Sequence, residues 1–185
     1  MNTNVQLLGE KKTFAIEFRD LPTETGEERL SELSMFVNGR NILGFTRKGV
    51  HSTTCWNLDD LVAWLRVYAL QMPVDPYPVE ADGCCAALKD INSRNFYSED
   101  DAVFDAYYDK LYEWVHRHNW HASSAGAILA NVYFEHKESV MEISWNNQDA
   151  EEDADFDYLI GWEQVPFDTF NEVLSAFLRR YDETV

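Results

Sequence analysis

The chain has 185 residues, of which 45% are hydrophobic and 14% aromatic, and it carries 33 acidic against 15 basic side chains for a net charge of -18. That is apolar material for one well-filled core, since two independent domains would each be small and marginal. No stretch approaches the roughly eighteen apolar residues of a membrane-spanning helix, and the excess of carboxylates would repel a phosphate backbone, which excludes direct nucleic-acid binding.

The acidity is uneven. Residues 1–72 hold 8 basic and 9 acidic side chains, whereas residues 73–185 hold 7 and 24. The first ten residues lack the basic flank and apolar stretch of a secretory signal, so the protein is read as cytoplasmic. Cys55, Cys84 and Cys85 are odd in number and two are adjacent, which predicts reduced thiols.

In chain order, Phe14, Ile16 and Phe18 alternate with polar neighbours over Thr13 to Arg19 and predict a half-buried strand. Pro22 and Gly26 mark a loop, after which Leu33, Met35 and Val37 alternate again. Asn38-Gly39 then accommodates the positive φ angles of a tight turn, predicting a hairpin of Ser34 to Val37 with Arg40 to Phe45. Asn57 offers an N-cap, with Asp59 and Asp60 in the first turn, for a helix whose Leu58, Leu61, Val62, Leu65, Tyr68 and Met72 recur at helical spacing until Pro73 stops it near Gln71. The Pro-rich stretch 73–80 is the best internal boundary, though so short a segment crosses one domain more readily than it joins two.

Ser98 begins the strongest helix, which runs to about His118 with Asp101 completing a capping-box-like pair and Phe104, Tyr107, Tyr108, Leu111 and Val115 as its apolar face. Small residues from Ala122 to Gly126 make a loop. Asn131 to Glu135 and Ser139 to Trp145 predict a second hairpin, Tyr158 to Val165 a further strand, and Asp168 the start of a last helix whose Phe170, Val173, Leu174, Phe177, Leu178 and Tyr181 share one face. The order of elements fits a single α+β domain spanning residues 1–185, with a mostly antiparallel sheet of about five to six strands and three main helices.

Two acidic concentrations stand out. On the helix from Ser98, Asp101, Asp105, Asp109 and Glu113 follow one another at i, i+4 spacing beside the apolar arc, about 6 Å apart along the axis. Like charges so placed destabilise a helix by about 0.2–0.5 kcal/mol per pair, a cost that packing can offset. The second is the run containing Asp149, Glu151, Glu152, Asp153, Asp155 and Asp157. Its alternating aspartates resemble the start of a calcium loop, but Tyr158 stands where that loop needs Gly and Gln164 where it needs a bidentate Glu.

His116, His118 and His121 are the only dense group of nitrogen ligands. On a helix His116 and His118 point about 200° apart, which is wrong for a shared metal. His116 is expected to pair with Glu113 or the helix terminus and His118 to be a core histidine, so His118 and His121 are weak metal candidates and no cofactor is expected. Cys84 and Cys85 sit in an acidic neighbourhood that opposes thiolate formation. Ser123 and Ser124 precede Gly126 without the preceding Gly of a nucleophile elbow. The six tryptophans are read as core, except that Trp162, beside Glu163, is a candidate anchor for an Arg-bearing partner.

These features predict a non-catalytic, acidic protein-binding domain that engages an Arg/Lys-rich protein surface through the carboxylate row, the acidic run and Trp162. An inhibitor, immunity protein or antitoxin of a bacterial conflict or defence system would have this character, its carboxylates imitating nucleic-acid phosphates. The competing expectations are a His/Cys metal-binding or enzymatic module and a structural subunit of a larger complex.

Overall fold

A computed structural model describes residues 5–22, 29–124, 126–148 and 154–183. The class is α+β, with antiparallel pairing throughout and the strands divided among three sheets. The first sheet is built on β1 (Gln6–Glu10), β2 (Phe14–Leu21) and β3 (Leu30–Val37), followed by the short β4 (Arg40–Asn41), with β7 (Thr54–Trp56) also paired to β3. Its register sets Phe14 opposite Val37, Ile16 opposite Met35 and Phe18 opposite Leu33, so that one face is continuously apolar. The turn between β3 and β4 is the predicted one, with Asn38 at φ 47° and Gly39 at φ 84°. Arg40 to Phe45 is shorter as a strand than expected: the chain leaves the sheet after Asn41, and Phe45 starts β5 (Phe45–Arg47) of a second sheet with β6 (Val50–Ser52) and β10 (Asp155–Phe156).

The third sheet comprises β8 (Val132–Lys137), β9 (Val140–Asn146) and β11 (Ile160–Pro166), in the order β11-β9-β8. Helix α4 (Phe167–Glu183) follows β11 directly, and its buried residues are the six expected from sequence, Phe170, Val173, Leu174, Phe177, Leu178 and Tyr181. A chain of aromatic contacts ties the layers together: Phe170 meets Phe14 at 5.1 Å and Phe134 at 5.8 Å, while Trp120 and Trp64 meet Phe134 at 5.2 and 5.9 Å. Such rings dominate core energetics because each buries a large apolar area.

Helix α1 (Asp59–Trp64) continues as a single π turn over Leu65–Ala69, closed by the Leu70 N–H donating to the Leu65 carbonyl at 2.9 Å. Asn57 serves the start of α1, its Oδ1 accepting from the Asp59 N–H at 2.8 Å. The left-handed Gln71, at φ 56°, ends the element ahead of Pro73.

Helix α2 (Ala86–Ser93) is not signalled in the sequence. Its N-cap, Cys85, makes no capping hydrogen bond; instead the Ala86 and Ala87 N–H groups donate to Glu142 Oε1 at 3.4 Å and Ser144 Oγ at 3.1 Å on β9. The caps are thus tertiary, and local propensity carries no trace of them. Beneath α2, Glu135 and Glu142 face each other across β8 and β9, both buried, and share Lys137 at 3.1 and 2.7 Å.

Helix α3 (Asp101–His118) begins later than expected. Asp100 is its N-cap, accepting from the Ala102 and Val103 N–H groups at 3.0 and 3.4 Å, whereas Ser98 Oγ accepts from the Asp100 N–H at 3.1 Å. No helix among the described residues is long and apolar enough to cross a membrane.

Candidate functional site

Helix α3 enters the core through its C-terminal half. Leu111, Trp114 and His118, at i, i+3 and i+7, form its buried stripe. Trp114 Nε1 donates to the Asp75 carbonyl at 3.0 Å, and Trp64 Nε1 donates to the His116 carbonyl at 3.0 Å. This corrects the predicted apolar face: Phe104 is exposed, Tyr107, Tyr108 and Val115 are half-buried, and of the predicted set only Leu111 is fully inside. The helix carries two aromatic stripes, and the core receives the one that meets β8, where Trp114 is buried with Tyr133.

The residues 101–106 are exposed on every side of the helix. This half touches the body through the segment joining α2 to α3. Tyr107 Oη donates to the Ser93 carbonyl at 3.1 Å, and its ring stacks on Phe96 at 3.9 Å. Tyr108 Oη lies 2.8 Å from the Arg94 carbonyl and 3.2 Å from that of Phe96.

Phe104, Tyr108 and Tyr112 form a ladder, with ring centroids 4.7 and 5.7 Å apart in succession. Phe104 is 36% and Tyr112 55% exposed. Beside the ladder runs the predicted carboxylate row, Asp101, Asp105, Asp109 and Glu113, all exposed. Among the described residues none of the four has a hydrogen-bond or ion-pair partner; the neighbouring guanidinium of Arg117 is bound to Asp75 at 2.8 Å. Together Arg94, Phe104, Asp105, Tyr108, Asp109 and Tyr112 line a groove of about 560 Å³.

Arg94 is already engaged within it. Its Nε and Nη2 reach Asp90 Oδ2 at 2.9 and 2.8 Å, and Tyr133 Oη donates to the same oxygen at 2.7 Å. Burial opposes the charge of Arg94, but the Asp90 carboxylate outweighs it and holds the guanidinium above its ordinary pKa. The Tyr133 hydroxyl is pushed up by burial and by the same carboxylate. The groove therefore has aromatic walls, two unpartnered carboxylates, and one cation whose charge is met from behind.

The remaining candidates lie elsewhere. Asp155 is exposed on β10, and Asp157 Oδ2 lies 2.8 Å from His51 Nε2. Asp149, Glu151, Glu152 and Asp153 lie outside the described residues. Trp162, 41% exposed, stands on β11 opposite Ser144, at the far edge of the sheet from β8, against which α3 packs. Its neighbour Glu163 is bound to Asn38 at 2.9 Å and Arg40 at 2.7 Å.

His118 is buried, with Nδ1 donating to the Phe134 carbonyl at 2.7 Å and Nε2 3.1 Å from Asp75. His121 is exposed on a short 3-10 turn, His121–Ser123. His116 does not pair with Glu113: its Nε2 lies 3.1 Å from Tyr68 Oη, because α3 packs against the π turn. Among the described residues, no three His, Cys, Asp or Glu side chains gather as a metal site.

Sequence reasoning placed the carboxylate row correctly on α3 but missed the ladder and Arg94. The i, i+4, i+8 spacing of Phe104, Tyr108 and Tyr112, one residue out of step with the acids, was the available signal. No protein family matches the chain, and no match is found among curated proteins or solved structures.

Proposed function

We propose that the chain is a non-catalytic protein-binding domain that captures a basic protein surface on α3, in the manner of an inhibitor, immunity protein or antitoxin of a bacterial conflict system. One observation carries the reading: helix α3 presents an aromatic ladder with exposed Phe104 and Tyr112 beside four carboxylates that have no partner among the described residues. Exposed aromatic surface and a row of like charges each raise the free energy of the isolated chain. A partner bearing Lys and Arg relieves both, since it screens the row and covers the rings. The three free cysteines fit a reducing, cytoplasmic setting.

The test is affinity capture from the native host with wild type and with a variant carrying Asp101→Lys, Asp105→Lys, Asp109→Lys and Glu113→Lys. Wild type is expected to retain a basic protein that added salt releases, and the variant to retain none. Recovery of the same partner at equal yield by both baits would end the proposal.

A further inference from the structure

We infer that the α3 groove is an arginine subsite, which takes the guanidinium of an arginine on the basic partner in preference to a lysine ammonium. The inference rests on the reading of α3 as the partner-binding face and specifies the chemistry of its ligand.

Charge selects a cationic occupant. Asp105 and Asp109 both line the groove, and the nearest cation inside it, Arg94, is turned onto Asp90. A second copy of the chain is a poor occupant, because two molecules of net charge -18 would bring their carboxylate rows together.

The walls select among cations. Phe104 and Tyr108 are tilted at 47° to each other and Tyr108 and Tyr112 at 32°, so the ladder offers ring faces as well as edges. Tyr108 is fixed in place by its hydroxyl contacts with the carbonyls of Arg94 and Phe96. A guanidinium is planar and weakly hydrated. It can lie on a ring face while its in-plane N–H groups reach carboxylates at the rim. Asp105 and Asp109 are one turn apart, about 6 Å along the axis, which lets one planar cation or two neighbouring ones be served from the same side. An ammonium has no such plane and keeps its water, so the aromatic wall adds less to its binding.

The probes are fluorescently labelled octa-arginine and octa-lysine, titrated by anisotropy against the full chain at low salt. Wild type is expected to bind octa-arginine roughly five- to tenfold more tightly than octa-lysine. The double variant Phe104→Leu/Tyr112→Leu alters two exposed rings and should bring octa-arginine down to the octa-lysine affinity, which itself stays unchanged. Asp105→Asn/Asp109→Asn should weaken both peptides. Equal affinity of wild type for the two peptides overturns the arginine subsite and leaves the basic-partner reading standing. The same follows if the ring variant loses both peptides in equal measure. Absence of binding by either peptide overturns both readings, and circular dichroism of each variant separates these results from loss of the fold.

Discussion

His118 Nε2 lies 3.1 Å from the Asp75 carboxylate, and this contact seats the C-terminal end of α3 on the Pro-rich segment. Arg117 binds the same carboxylate at 2.8 Å, and the His118 ring stacks on Trp114 at 4.0 Å. Asp75 thus gathers the C-terminal end of the helix that carries the groove.

Burial alone would favour neutral Asp75, but hydrogen bonds from Arg117 and His118 outweigh it and hold the carboxyl below its ordinary value of 3.8. A depressed folded pKa gives stability that is present above the unfolded value and is lost as pH falls through the folded one. Asp75→Ala should therefore lower stability at neutral pH by about 1–3 kcal/mol. The gap to wild type should hold above the ordinary value of 3.8 and narrow progressively as pH falls below it. A series of urea midpoints from pH 7 downward decides it: a gap that does not narrow in acid would show that the ionised carboxyl is not its source.

A Cβ at Gly161 would lie 2.6 Å from Cζ2 of Trp145, a ring atom that phenylalanine lacks. Gly161→Ala should cost about 1–3 kcal/mol through overpacking. Trp145 Nε1 is buried without a hydrogen-bond partner, so Trp145→Phe loses packing but no bond. The double variant should be more stable than the sum of the single losses predicts, by about 1 kcal/mol. Strict additivity in guanidinium denaturation would show that the two residues do not meet.

Cys55 is exposed, yet burial of its thiol and the charge of Glu32 raise its pKa, with Arg19 opposing. Cys85 is buried and raised for the same first reason. Iodoacetamide at pH 8 should label Cys84 first, Cys55 more slowly and Cys85 last, as read by mass spectrometry. Glu32→Gln should speed Cys55 labelling roughly twofold or more, since it leaves Arg19 unopposed.

The carboxylate row should weaken the isolated fold. Asp105→Asn, Asp109→Asn and Glu113→Gln together are expected to stabilise the free protein by about 0.5–1 kcal/mol. Asp101 is left intact because it lies in the first turn, where it favours the helix dipole. Added salt should stabilise wild type more than the variant, because screening relieves the row only where the row is charged. Thermal melts at two ionic strengths measure both effects.

Residues whose neighbours in space are also neighbours along the chain were legible in the sequence. The six-residue apolar face of α4, the Asn38-Gly39 turn and the β8–β9 hairpin follow from period and turn chemistry alone, and so does the alignment of four acids on one helix. Helix α2 did not follow, because Glu142 and Ser144, some fifty residues away, supply its caps. Which stripe of α3 enters the core was equally undecided in one dimension. Phe104 and Tyr108 are as apolar as a core position requires, yet packing leaves Phe104 exposed and Tyr108 half-buried. Tertiary packing turned an acidic row, common on solvated helices, into one side of an aromatic groove, and it set Trp162 apart from that groove across the width of a sheet. The physical reason is that local periodicity decides which side chains share a face, whereas burial depends on which of those faces an element distant in the chain packs against.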